Sequence, residues 1–243
     1  MRRGFLVFLF LVGFGLVAFS AWHLIQGHFE YATARTEYDD LREIHSAIAP
    51  PADTPTDSSV PSNPAPEPAI NPMAPFLEIN PDFVGWVQVN GTAVDYPIVR
   101  GVDNELYLHT TFSGTGNASG AIFMDYRCIN GFDAPVTVLY GHNMRDGSMF
   151  ASLHQFLDPA FSDRYSEITV MTAAGEPLLY RIFGVQRISA WDPLFGLDFN
   201  DAGAVAAFFG VSPTDRVLVL STCEAGTDRD WRLVVFGVLL EVV

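Results

Sequence analysis

A chain of 243 residues with 49% apolar and 13% aromatic side chains can bury a substantial core and is not disordered as a whole. Twenty-eight Asp and Glu stand against thirteen Arg and no Lys, a net charge of -15, which excludes a protein built to hold a phosphate backbone on a basic face. Two cysteines, Cys128 and Cys223, exclude a disulfide-rich scaffold and a four-thiolate zinc site.

The chain opens with residues 1–4, carrying Arg2 and Arg3, followed by an uncharged apolar run from Phe5 to Trp22. About 20 such residues in a helix cross the hydrocarbon core of a bilayer. Residues 5–25 are therefore expected to be a transmembrane anchor. The Arg pair keeps residues 1–4 in the cytoplasm and places the rest outside. A cleavable signal peptide, with Ala18-Phe19-Ser20 as its cleavage site, is the alternative, although the apolar stretch exceeds the usual core of about 7–15 residues. Both readings export the remainder.

Residues 26–49 carry Phe29, Ala32, Thr36, Leu41, Ile44 and Ile48 at roughly helical spacing, with Glu37, Asp39, Asp40, Arg42 and Glu43 between them. They predict a helix, either a stalk or a helix packed on the domain. Residues 50–75 hold nine of the sixteen prolines and read as an extended linker.

Residues 76–243 are the globular part, still acidic at about -11. Two strands are expected around the turn Asn90-Gly91, a strong hairpin signal, between Gly85 and Val99. Six more follow at Ala121–Tyr126, Val136–Tyr140, Glu167–Thr172, Leu178–Ile188, Arg216–Thr222 and Leu233–Val242. Short helical pieces are expected near Asn104–Leu108, Gly147–Leu157 and Asn200–Phe209. Many short strands with sparse helices mean a mainly β sandwich or closed barrel.

Three residues could carry chemistry. Cys223 ends a strand of buried composition, Arg232 opens the next, and His142 lies just beyond a third. A thiolate is the reactive form of Cys, and a neighbouring His can activate it and later protonate a leaving amine. A fixed guanidinium offers charged donors to the oxyanion of acyl transfer. Taken singly, a strand-end Cys is also an ordinary small core residue, and an Arg at a strand start an ordinary surface charge.

The wider motifs decide between these readings. Tyr140-Gly141-His142-Asn143-Met144 with Asp146-Gly147-Ser148-Met149-Phe150, then Leu220-Ser221-Thr222-Cys223-Glu224, then Arg232-Leu233-Val234-Val235, resemble a class B sortase. Gly85-Trp86, Val94–Val99, Asn104–Leu108 and Gly120–Arg127 occur in that family's order, and Tyr38–Ile44 resembles its N-terminal helix; the likeness covers about residues 35–243. The resemblance implies an eight-stranded β-barrel cysteine transpeptidase tethered outside a Gram-positive cell membrane, with no cofactor or metal. Its partners would be secreted proteins bearing a C-terminal sorting signal and an amine of a peptidoglycan precursor or pilin; nucleic acid is not among them. It makes Cys223 the nucleophile, His142 the acid/base group and Arg232 the oxyanion stabiliser. Asn104, Leu108, Tyr140, Ser221, Thr222 and Glu224 match positions lining the family's substrate groove. A peptide-binding module without turnover and a hydrolase without transfer are the other two functions this constellation allows. Arg229 competes with Arg232 for the arginine role but falls in a loop.

Cys128 departs from the family, which carries a polar residue there. It is expected to be a bystander near a loop; a disulfide to Cys223 would block the nucleophile. His109 and His154 are expected to be structural or surface residues, and His45 to lie outside the globular part. Asp146 is expected to cap a helix starting at Gly147.

Overall fold

The computed structural model describes residues 2–48, 71–223 and 230–242. The chain begins with one continuous helix, α1 (Arg2–Ile48). In its first half large apolar side chains such as Phe10, Phe14, Phe19 and Trp22 stand exposed. Among the described residues no helix is long and apolar enough to cross a membrane, so the anchor expected over residues 5–25 rests on the sequence. The linker expected over 50–75 lies, up to residue 70, outside the described residues.

The second half of α1 packs on the domain. Its buried face is Ala34, Tyr38 and Leu41, continued by half-buried His45 and Ile48, a spacing of three and four that keeps one helical stripe inward. Leu41, Ile44 and Ile48 of the expected face pack on the core, but its first half does not: Phe29 is 69% exposed, and Ala32 and Thr36 also face outward. The cause is Tyr38, whose ring enters the core because its hydroxyl finds a buried acceptor, the Gly120 carbonyl, at 2.6 Å. His45 belongs to the globular part after all, stacked on Trp86 at 4.2 Å between centroids.

All eight expected strands form: β1 (Phe83–Val89), β2 (Asp95–Val99), β3 (Ile122–Met124), β4 (Val136–Tyr140), β5 (Glu167–Thr172), β6 (Pro177–Ser189), β7 (Val217–Cys223) and β8 (Trp231–Val242). They close a barrel in the order β1-β2-β3-β4-β7-β8-β6-β5. Closure removes the free edges that an open sheet would leave. Val87, Ile98, Val138, Ile168, Val219 and Val235 are among the fully buried, mostly β-branched residues of its core. Most neighbours are antiparallel, but β2–β3 and β4–β7 are parallel. The second parallel pair brings the C-terminal ends of β4 and β7 to the same end of the barrel.

The helical segments are shorter and more numerous than expected. A 3₁₀ turn, Leu106–Leu108, replaces the piece near Asn104, and a 3₁₀ run, Ala151–Leu157, replaces the helix expected from Gly147. Asp146 therefore caps no helix; its carboxylate accepts from the Ser148 amide and hydroxyl and closes a turn. Besides a 3₁₀ turn at Gly131–Asp133, three proline-led pieces appear: α2 (Ala74–Ile79), α3 (Pro159–Arg164) and a 3₁₀ turn at Pro193–Gly196. Each has Pro in its first turn, where no amide is needed, and Asp158 and Asp192 cap the last two. Helix α4 (Ala202–Phe209) is capped by Asp201 and ended by left-handed Gly210. Met73 is fully buried and Asn71 donates to the Ala173 carbonyl, so contact with the barrel starts ahead of residue 76.

Candidate active site

The register of three adjacent strands builds the site. Tyr140 on β4 pairs with Ser221 on β7, and the Gly141 amide extends the ladder to the Ser221 carbonyl at 3.2 Å. Two residues beyond that pair lie His142 on one strand and Cys223 on the other. On β8, Arg232 is directly opposite Cys223. Neighbouring strands lie about 4.8 Å apart, so three segments far apart in sequence bring His142, Cys223 and Arg232 to one end of the barrel.

A cleft of about 170 Å³ opens there, lined by Asn104, Leu108, Phe123, Tyr140, Gly141, His142, Ser221, Thr222 and Arg232. Seven residues singled out from the sequence thus meet in one cavity. Cys223 is placed by its strand position, and Glu224 and Arg229 lie outside the described residues. Phe123 and Gly141 were not expected as lining. Gly141 is required sterically: a Cβ there would meet Ile122 at 2.5 Å and the Phe150 ring at 2.7 Å.

His142 is half-buried, with Nε2 at 2.7 Å from the Leu108 carbonyl. A carbonyl only accepts, so Nε2 carries the hydrogen and Nδ1 is left to take a proton. Burial holds His142 below its usual value of 6.5, the Leu108 hydrogen bond opposes that shift, and the His109 ring, centred 6.4 Å away, adds to it. The imidazole is therefore neutral at pH 7. Arg232 is half-buried and donates from Nη1 to the Trp231 carbonyl at 3.1 Å. Ser221 and Thr222 present hydroxyls that are buried and have no hydrogen-bond partner among the described residues.

One wall of the cleft rests on a charge that the sequence reading passed over. Asp125, just past β3, is fully buried. Its carboxylate accepts from Arg127 Nε at 2.9 Å and Nη2 at 2.8 Å, from the Arg127 amide at 3.0 Å, from Asn104 Nδ2 at 3.1 Å and from the Tyr140 hydroxyl at 3.0 Å. Burial alone would raise this carboxyl, but the Arg127 and Tyr140 hydrogen bonds outweigh it and hold it below 3.8. Asn104 and Tyr140, both in the cleft, are thereby fixed to the same anion. The signal in the sequence was an Asp-x-Arg immediately after the apolar triplet Ile122–Met124.

Cys128 is a free thiol, fully buried, with Sγ 3.7 Å from the Val136 carbonyl, so it makes no disulfide with Cys223. Burial pushes this thiol up to about 11. Among the described residues no group of three His, Cys, Asp or Glu could hold a metal ion.

Comparison with known proteins agrees with this geometry. The sortase domain family matches residues 87–240. Sortase B of Listeria monocytogenes is 29% identical over 95% of this chain and 94% of its own length. Sortase B of Staphylococcus aureus is 30% identical over 71% of this chain and 77% of its own length. A S. aureus sortase B–substrate complex superposes with a TM-score of 0.73 at 25% identity, covering 88% of this chain and all of that one. Family match, barrel topology and class B relatives agree: the chain belongs to the sortase family, as a class B cysteine transpeptidase.

Proposed function

We propose that this sortase cleaves a C-terminal sorting signal at Thr and passes the acyl group to an amine through a thioacyl bond to Cys223. The observation that carries the reading is the register at one end of the barrel: Cys223 opposite Arg232, and His142 equally far beyond the Tyr140–Ser221 pair. His142 Nδ1 takes the thiol proton as the Cys223 sulfur attacks the Thr carbonyl carbon; an S–C bond forms, and the carbonyl electrons move to oxygen, where the Arg232 guanidinium balances the charge. The C–N bond then breaks, and His142 gives its proton to the leaving amine. An acceptor amine attacks the thioester, His142 takes its proton, and the thiolate departs. The proton-bearing Nε2 stays on the Leu108 carbonyl throughout, so Nδ1 handles the exchange. The unpartnered hydroxyls of Ser221 and Thr222 would bind the peptide, together with Asn104, Leu108, Tyr140 and Glu224.

The signal is of the Asn-Pro-x-Thr or the Leu-Pro-x-Thr-Gly type, and the acceptor is an amine of a cell-wall precursor or a pilin. Residues 5–25 anchor the enzyme in the plasma membrane in a single pass, with residues 1–4 cytoplasmic and the catalytic domain outside. Residues 50–70 complete the linker. The uncharged run Phe5–Trp22 behind Arg2-Arg3 supports this topology.

The test is the intact mass of the full chain in detergent micelles after mixing with peptides of both types. An acyl adduct, absent in Cys223→Ala, is expected, and the peptide that forms it names the signal. No adduct from either peptide, with Cys223 still open to iodoacetamide, would leave a binding module and overturn the transpeptidase mechanism. Adduct release at one rate with and without an acceptor amine would make the chain a hydrolase. Loss of activity in Arg229→Ala with activity kept in Arg232→Ala would move the arginine role.

A further inference from the structure

His142 sits between two supports, and both are tied to α1. The first is its acceptor, the Leu108 carbonyl. Residues 109–120 loop out directly behind it and are fastened to α1 three times: Asn117 Nδ2 donates to the Glu30 carbonyl at 2.9 Å, the Ser113 amide to Glu37 Oε1 at 2.8 Å, and the Tyr38 hydroxyl to the Gly120 carbonyl at 2.6 Å. Gly120 lies hard against the backbone that carries the acceptor; a Cβ there would come within 2.7 Å of the Tyr107 and Leu108 carbonyl oxygens. The second support is the loop that His142 begins. It closes where Asn143 bridges Met149 and the Phe150 amide donates to the His142 carbonyl at 2.9 Å. At the closing point Met149 has φ 55°, a conformation that a side chain seldom adopts unless its surroundings enforce it. Its amide donates to the Tyr96 hydroxyl at 3.0 Å. The Tyr96 ring in turn meets the Tyr38 ring edge-on at 5.2 Å and carries the Arg42 guanidinium 4.5 Å above it, with Arg42 held by the Asp95 carbonyl and Asp39.

We propose that α1 is a positioning element of the active site, in which Tyr38 and Tyr96 fix the Leu108 carbonyl and the 142–150 loop so that the His142 imidazole is held from both sides. The inference rests on the acid/base role proposed for His142. Neither tyrosine touches the cleft, so neither is a catalytic residue. Among the described residues the titratable and charged groups around the imidazole are His109, Tyr140 and Arg232, with Cys223 brought near by its strand position, and none of them belongs to α1.

The test compares Tyr38→Phe and Tyr96→Phe in the full chain. Each keeps its ring and deletes one hydrogen bond. Thr137→Val is the control, since it deletes a buried hydrogen bond to the Gly131 carbonyl away from both supports. Three quantities are read: the melting temperature, the His142 titration by NMR of ¹³C-histidine protein, and kcat and KM for whichever sorting peptide the wild type cleaves. All three variants should lose a few degrees of Tm. Only the tyrosine variants should move the His142 titration up towards 6.5, as water reaches the loosened ring, and lower kcat about tenfold with KM within twofold. Tyrosine variants that match Thr137→Val, with an unmoved titration and full kcat, would reduce α1 to packing and overturn the proposal. The titration needs no substrate, so it decides the question even if neither peptide is turned over. A His142→Gln variant with the wild-type rate would instead overturn the acid/base reading beneath it.

Discussion

Asp125→Asn offers the sharpest test of how the cleft is held. The substitution keeps the shape and removes one charge. The carboxylate is fully buried and its partner Arg127 is 33% exposed, with side-chain atoms 2.8 Å apart. Removing one member of a buried pair costs about 3–5 kcal/mol. Arg127 is partly solvated and keeps the Phe195 carbonyl and the Phe199 ring as neighbours, which sets the expectation at the low end, about 3 kcal/mol. For a domain of this size that corresponds to a fall in Tm of about 6–12 °C. Circular dichroism of the full chain in micelles would measure it, with Asp133→Asn beside it. Asp133 also holds an arginine, Arg216, at 2.6 Å, but is 88% exposed, so its loss should cost under about 1 kcal/mol. The pH dependence has a definite sign. The folded Asp125 carboxyl titrates below its unfolded value, so its contribution is present above about pH 4 and is lost as pH falls through the folded value. Asparagine does not titrate there. The gap between wild type and Asp125→Asn should therefore be constant from about pH 5 to 8 and narrow below pH 4. A loss no larger than that of Asp133→Asn, or a gap that widens in acid, would refute the reasoning.

Four other outcomes are expected. Gly120→Ala places a Cβ 2.7 Å from two backbone oxygens at φ 57° and should cost more than about 2 kcal/mol in urea unfolding; a variant of wild-type stability would show that this approach relaxes freely. At pH 8 iodoacetamide should modify Cys223 and leave Cys128 untouched, as peptide mass mapping would show. Because the folded Cys128 thiol titrates near 11 against 9.0, its contribution to stability is complete below about pH 9 and is lost as pH rises towards 11, a slope that Cys128→Ala should remove. Burial holds His45 below 6.5 despite the opposing Asp95, so its contribution is present above that pH and is lost as pH falls; His45→Phe should keep the stack on Trp86 and flatten the Tm decline between about pH 7 and 5, and an unchanged slope would place the titrating group elsewhere.

What could be read in the sequence, and what could not, follows from how each feature is encoded. The strands were legible because β-branched and aromatic runs such as Val136–Tyr140 and Val217–Leu220 are local signals of burial. The meeting of His142, Cys223 and Arg232 at one end of the barrel was legible because each stands at or just past a strand end, so family motifs and strand ends coincide. The pieces of six residues, α2 and α3, are too short for a helical period to be seen, and only Asp158-Pro159 announced one of them. Asp125 fell inside the expected strand Ala121–Tyr126 with Arg127 just beyond it, because nothing in a linear pattern shows that five donors converge on one carboxylate. The first half of the expected face of α1, Phe29, Ala32 and Thr36, was misplaced for a related reason: a tyrosine carries little weight as a core residue until the carbonyl that satisfies its hydroxyl is known, and that carbonyl, at Gly120, lies 82 positions away. Long-range hydrogen bonds to single polar atoms leave no periodicity. They are also the bonds that fix side chains to within fractions of an ångström, and around His142 they come from Tyr38 and Tyr96. The part of this candidate site that the sequence conceals is thus its positioning, while the groups proposed to react stand in plain view.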